Sequence, residues 1–386
     1  MSSVKYWLWL TTRNTIGPRR GGELLRHFGT PEMVYKAEDR DYLDIDGIGT
    51  SEIKQLMDKD LTEANKILSS CAQTGCQVLT HHDSTYPDRL RNIYDPPLVL
   101  YIKGHLPNID DEPVVGVVGT RACTPYGITV AENVGYDLSS NGIIVVTGLA
   151  RGVDTAATKG ALYGGSCVIG VIGSGPDVIY PPENKGIYED VESAGVILSE
   201  YPPGTPAVAC NFPARNRIIS GISIGVAVIE APKKSGALIT AARALEQGRD
   251  VFTLPGNVDA AACEGSNALL REGAIPFIGA ADIIDEYIDI YPDKIGPDIK
   301  RETTAKIKKS FDNKSKVDYI DLGNLLDKLE DEEKIIAQSL KCGSLHIDEI
   351  ISQTGFSAQK VLASLTMLEL GSYVQRNNNG KWEIAV

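Results

Sequence analysis

The run Val114-Val115-Gly116-Val117-Val118-Gly119 decides the fold, because it is apolar at every position and ends on a glycine. A strand with one wet face would alternate apolar and polar residues. An unbroken apolar run of this length belongs to a strand covered on both faces. Six more runs of the same kind follow: IIVVTG (143–148), CVIGVIG (167–173), VILSEY (196–201), GVAVIEA (225–231), DVFTLP (250–255) and IPFIG (275–279). Between them lie stretches of helical spacing, at 126–138, 154–162, 237–247 and 266–272. Strand and helix in alternation predict an α/β fold built on a doubly wound parallel sheet over 111–290.

Working outward, residues 1–75 read as helical, with two glycine-bearing turns, Ile16-Gly17-Pro18 and Ile45-Asp46-Gly47-Ile48-Gly49, each leading into a helix. That is the look of a helix-hairpin-helix or SAM-like domain, in which amide groups at a helix start can hold a phosphate. A connector is expected over 76–110 and a charged linker over 291–330. The tail, 331–386, reads as three helices (332–340, one around 348–353, and one through Leu370 capped by Ser357) and a hairpin, YVQR-NNNG-KWEIAV, together a winged-helix pattern. The third helix offers only Lys360 and Glu369 as charges, which argues against base reading of duplex DNA.

The 386 residues are 42% apolar and 23% charged, as in globular chains. No apolar run is long enough for a membrane span, and MSSVKYWLWLTT lacks a secretory cleavage site, so a cytoplasmic location is expected. None of the seven cysteines forms a CxxC pair, which gives no support to a zinc site or disulfide framework. The net charge of −13 divides as −2 over 1–110, −10 over 111–290 and −1 over 291–386. A broad basic face is therefore excluded in the sheet domain, and any anion site there must be local.

Several enzymatic readings fail on spacing. Gly173-Ser174-Gly175-Pro176 lacks the third glycine of a dinucleotide fingerprint, and GTRACTPYGIT lacks the Gly-Lys-Ser/Thr of a nucleoside-triphosphate cradle. Gly221-Ile222-Ser223-Ile224-Gly225 precedes a strand rather than following one, so it is no nucleophile elbow. Histidines stand at 27, 81, 82, 105 and 346, none within 111–290. A phosphoribohydrolase-like nucleotide-processing enzyme on a related fold is the alternative; Pro255-Gly256-Asn257 departs from its PGG loop, and the GTxxE that should follow is missing. An adaptor that binds DNA through its winged-helix tail is a third possibility.

Ligands of such sheets bind beyond the carboxyl ends of the strands. The loops there carry Gly119, Thr120 and Arg121; Gly148 and Ala150; Asn184 and Lys185; a long loop with Phe212, Arg215, Asn216 and Arg217; and Ser235 and Gly236 ahead of Thr240 and Arg243. Glycines let amides approach an anion and arginines fork onto phosphate oxygens. An aromatic beside them suits single-stranded nucleic acid, whose bases stack while cations follow the backbone. Arg217 has an internal alternative as the partner of Glu200 or Glu230.

At these residues the chain resembles the DprA/Smf (DNA-processing protein A) family. GTRxCTxYG, TGLARGVD, GSGxDxxYPxEN, SEYPPGTPxxxxNFPARNRIISGIS, VIEAxxxSGALITAxxALEQGRxVFTLPGN and GSNALLxEGA run in order over 119–274. The resemblance implies an extended Rossmann-like domain that binds single-stranded DNA and dimerises through that domain. It also implies loading of a RecA-type recombinase in natural transformation, without enzymatic activity, cofactor or metal. Matched by motif, the pocket would use Gly119, Thr120, Arg121, Gly148, Ala150, Asn184, Lys185, Phe212, Arg215, Asn216, Ser235 and Gly236. Two departures stand out: Thr158 where members often have histidine, and Ala209-Cys210 where some have a basic residue. Modest affinity per cleft, raised by two clefts of a dimer on one strand, is the expectation.

Overall fold

All seven apolar runs form strands, and two more join them. The computed structural model describes residues 4–296, 333, 335–336, 339–340, 345–370, 374–376 and 381–384, and the chain divides into two compact units, Met1–Lys309 and Ser310–Val386. In the first unit the strands are β1 (Gln77–Thr80), β2 (Val99–Gly104), β3 (Val114–Val118), β4 (Ile144–Thr147), β5 (Val168–Ile172), β6 (Val196–Ser199), β7 (Gly225–Val228), β8 (Asp250–Thr253) and β9 (Ile275–Pro276). They lie in the order β1-β2-β6-β5-β4-β3-β7-β8-β9. Strands β3 to β9 pair in parallel, whereas β2 runs antiparallel to β6 and β1 antiparallel to β2. The segment 76–110, expected to be a connector, therefore builds one edge of the sheet.

The helices before the sheet are α1 (Val4–Thr11), α2 (Pro18–Phe28), α3 (Pro31–Lys36), α4 (Thr50–Leu56) and α5 (Thr62–Thr74). Gly17 and Pro18 start α2, and Gly49 starts α4 with its N–H donating to Glu52 Oε2 at 3.1 Å. Their core, with Trp9, Leu24, Tyr42 and Leu56, continues into Leu98, Val99 and Tyr101 at β2, so the helical segment is anchored on the antiparallel edge.

Within the sheet, α6 (Asp88–Arg91), α7 (Pro125–Ser140), α8 (Val153–Gly164), α9 (Lys185–Ala194), α10 (Asn211–Ile222), α11 (Gly236–Glu246), α12 (Glu264–Arg271) and α13 (Ala280–Tyr287) fill the connections. Val114, Val118, Ile144, Val146, Val226 and Val228 pack with Ile218 and Ile222 of α10 and Ala241 and Ala244 of α11. The interleaved Val115, Val117 and Val145 turn to the opposite face and are equally buried. There a β-carbon on Gly225 would strike Tyr287 of α13. Burying each such valine or isoleucine contributes about 1.5–3 kcal/mol, which is why the runs lack polar positions.

One expectation is corrected. Asn211 to Arg217 do not lie in a loop but form the first two turns of α10. The helix hides its periodicity because Asn211, Arg215, Asn216 and Arg217 are buried along with Ile218, Ile219 and Ile222.

In the second unit, α14 (Ile347–Thr354) ends on Gly355 at φ +70°, α15 (Ala358–Leu370) follows Ser357, and β10 (Val374–Arg376) pairs antiparallel with β11 (Trp382–Ile384). Ile336, Leu340, Ile350, Val361, Leu365, Val374 and Trp382 form its core. The first residues of the expected linker, 291–296, pack on the first unit instead, with Tyr291 Oη accepting from Arg89 at 2.8 Å and Ile295 buried; the rest of it and most of the helix expected over 332–340 lie outside the described residues.

Candidate nucleic-acid interface

The strand order reverses at β3, which has β4 on one side and β7 on the other, the switch point beyond whose strand ends a doubly wound sheet has its binding crevice. After β3, Gly119 packs so closely on Val153 of α8 that a β-carbon there would meet its side chain at 2.5 Å. Thr120 N–H donates to Glu230 O at 2.7 Å, and the Glu230 carboxylate accepts from Thr124 N–H at 2.9 Å and Thr124 Oγ1 at 2.6 Å. Thr124 in turn caps α7 by accepting from Gly127 N–H at 3.0 Å. The β3 and β7 loops are thereby tied together, and Arg121 is carried out between them on a fixed backbone.

Arg121 is exposed, with its guanidinium carbon 4.8 Å from the centroid of the Phe212 ring, and Tyr180 stands 5.5 Å from Phe212 on a ring-to-ring measure. Both rings are half-buried, so each keeps a solvent-facing part. Tyr180 was not among the expected site residues; its place just before Pro181 in the GSGxDxxYP motif was the available signal.

Arg215, on the second turn of α10, reaches under the β4 loop. Its guanidinium fills the space where a β-carbon on Gly148 would sit, so any side chain at 148 would displace it. Arg215 is 4% exposed, and among the described residues its Nε and Nη1 have no hydrogen-bond partner. Leaving such donors unmet costs about 1–3 kcal/mol each, and more on a charged group. Burial pushes its pKa below the ordinary guanidinium value, Asp154 pulls it back up, and Arg121 pushes it further down. Arg121 is therefore within electrostatic range of Arg215.

Asp154, at the start of α8, is a second residue absent from the expected site. Its Oδ2 accepts from Gly148 N–H at 3.0 Å and Ala150 N–H at 3.4 Å. The amides of Gly148 and Ala150, expected to face an anion, are thus turned inward onto a carboxylate. Burial raises the Asp154 pKa above its ordinary 3.8, opposed by Arg215, the two amides and Arg121.

Other expected residues frame the crevice. Asn184 is buried and donates from Nδ2 to Leu149 O at 3.0 Å and Thr155 Oγ1 at 2.8 Å, buckling the β5 and β4 loops. Lys185 is exposed on the first turn of α9, 4.0 Å from Glu189. Asn216 donates to Gly236 O at 3.2 Å, and Ser235 Oγ accepts from Ala237 N–H at 3.2 Å, capping α11. Exposed Gly236 has open space where a side chain would stand.

Three expected residues are not brought to the crevice. Arg217 Nη2 donates to both Glu200 oxygens, at 2.7 and 2.6 Å, and its Nε lies 3.3 Å from Asp95, so two internal carboxylates hold this guanidinium, leaving only Nη1 without a partner among the described residues. Thr240 is buried within α11. Arg243 stands seven residues below Gly236, about 10 Å along the helix, and pairs with Glu246 at 2.7 Å. Among the described residues, no group of three or more His, Cys, Asp or Glu is placed to hold a metal ion, and no helix is long and apolar enough to cross a membrane.

Residues 77–288 match the family model for DNA recombination-mediator protein A, and residues 324–380 match the DprA winged helix domain. The chain is 37% identical over 298 residues to protein Smf of Synechocystis sp., covering 74% of this chain and 75% of that protein. It is 44% identical over 205 residues to DNA processing protein DprA of Streptococcus pneumoniae, covering 53% and 72%. Among solved structures, the Streptococcus pneumoniae DprA superposes with a TM-score of 0.64 at 35% identity, over 73% of this chain and 96% of that one. The Helicobacter pylori DNA processing protein A, described by its single-stranded DNA binding mode, gives 0.51 at 29% identity, over 56% and 97%.

Proposed function

This chain belongs to the DNA recombination-mediator protein A (DprA/Smf) family, and from that premise we propose that the crevice beyond β3, β4 and β7 binds single-stranded DNA without sequence preference. The observation that carries the reading is Arg215, a buried guanidinium with two unpartnered donors beside the exposed Arg121. A phosphate oxygen is the kind of acceptor that those donors lack, and the half-buried rings of Phe212 and Tyr180 offer stacking surface to adjacent bases. Duplex DNA keeps its bases stacked on one another, so this pairing of cation and ring favours single strands.

The role is binding rather than catalysis: the crevice has no histidine, and its buried carboxylate is engaged by two amides and faces two arginines. Strand protection and delivery to a RecA-type recombinase are in keeping with family membership, and a cytoplasmic setting belongs to the same reading. A homodimer through the extended Rossmann-like sheet domain supplies two crevices to one strand, which compensates for the few cations in a region of net charge −10. The helical segment 1–75 is read as helix-hairpin-helix-like packing. Fluorescence anisotropy of a labelled oligothymidylate tests the site: Arg121→Ala and Phe212→Ala should each weaken retention, and unchanged affinity in both would place the DNA elsewhere.

A further inference from the structure

The buried carboxylate of Asp154 holds the amide of Gly148, the same glycine on which the Arg215 guanidinium packs, an arrangement that a simple anion cradle does not call for. We infer that Asp154 sets the affinity of the crevice: its carboxylate competes with an incoming phosphate for Arg215 and Arg121, and it takes up a proton as the strand binds. The inference rests on the single-stranded DNA reading of the crevice.

The geometry is specific. Asp154 is 6% exposed, and its Oδ2 is fixed by the amides of Gly148 and Ala150. The Arg215 guanidinium of α10 packs on that same Gly148, and Arg121 and Cys123 of the β3 loop lie within electrostatic range of the carboxyl. Behind Arg215 lies Tyr188 of α9, whose hydroxyl donates to Tyr180 O at 2.9 Å. With the carboxylate ionised, Asp154 offsets one of the two guanidinium charges. With it protonated, both charges face the phosphate. A phosphate entering this buried space raises the cost of a second anion there, so binding favours the protonated form.

The free protein is placed for that step. Burial already holds the Asp154 carboxyl above its ordinary range, and no histidine lies in 111–290 to mask its titration. Cys123 is pushed up by burial and stays neutral. The other carboxylates near the rim are committed: Glu183 to Arg151, Glu230 to Thr124, and half-buried Glu200 to Arg217. The step balances simply, one proton passing from solvent to Asp154 for each strand segment seated on Arg215.

The test is oligothymidylate binding by the full chain from pH 5.5 to 8, for the unchanged protein and Asp154→Asn, whose single side-chain oxygen can still accept both amides. Affinity of the unchanged protein should fall as pH rises, by up to about tenfold per unit where one proton is linked. Asp154→Asn should give a flat profile and bind more tightly at pH 8. Calorimetry of the unchanged protein in two buffers of unequal ionisation heat should show net proton uptake, and this decides the matter even if the variant does not fold. A flat profile with buffer-independent heat, or equal slopes in both proteins, overturns the inference while leaving DNA binding intact. Absence of binding at every pH removes the functional reading as well.

Discussion

The guanidinium of Arg215 and the missing side chain of Gly148 occupy the same space: a β-carbon at 148 would fall on the Arg215 head group. The α10 arginine is thereby locked under the β4 loop, and a methyl group at 148 forces one of them to move. Gly148→Ala should destabilise the protein by about 1–3 kcal/mol through overpacking. It should also reduce DNA affinity by displacing Arg215. Thermal unfolding with oligonucleotide anisotropy checks both effects, and a variant of unchanged affinity would show that Arg215 is not at the binding surface.

Phe212 separates stacking from charge. Base-on-ring stacking is worth about 1–3 kcal/mol per base, so Phe212→Ala should weaken binding by roughly 5- to 150-fold while leaving the salt dependence unchanged. Phe212→Trp should retain most of the affinity. Equal losses in both variants would assign Phe212 to packing alone.

Arg217 should behave in the opposite way to Arg121. Removing a partner of a buried ion pair leaves an uncompensated charge, here Glu200, at a cost of about 3–5 kcal/mol. Arg217→Met should therefore lower the denaturation midpoint while the folded fraction binds DNA normally. Loss of affinity without loss of stability would return Arg217 to the crevice.

Lys59 gives a stability signal away from the site. Its Nζ donates to Ala37 O and Tyr42 Oη, each at 3.1 Å, among the rings of Trp9, Tyr35 and Tyr42. Burial pulls its pKa down from 10.5 to about 8. Between these values the unfolded chain holds more proton than the folded one, so this residue makes stability rise with pH through that window. Tyr42, pushed up from 10.0 to about 12 by burial, acts in the reverse sense above its unfolded value, where the unfolded phenol ionises first. Urea denaturation should show a gain from pH 8 to 10 that Lys59→Met abolishes; an equal gain in the variant would clear Lys59 of the effect.

The seven parallel strands were legible because burial on both faces leaves no polar position to confuse the reading. Strands β1 and β2 were not, since QVLT and VLYIKG are short and flanked by His81, His82, Pro96 and Pro97, which read as connector. Helix α10 escaped because it is buried on nearly every side with polar residues of its own, erasing the amphipathic stripe. At the site, glycines and arginines marked the right loops, yet residue type does not say where a side chain points. Arg215 and Arg217 are two apart on one helix, about 200° around its axis, and go to different fates. Asp154 went unnoticed because its partners are backbone amides six and four residues upstream.

The central claim, that a few converging cations hold a polyanion on an acidic protein, is tested most directly by the salt dependence of oligothymidylate affinity for the unchanged chain and Arg121→Ala. Loss of one phosphate contact should weaken binding at low salt and make the slope of log affinity against log salt shallower by about 0.7. Identical affinities and slopes for the two proteins would contradict it.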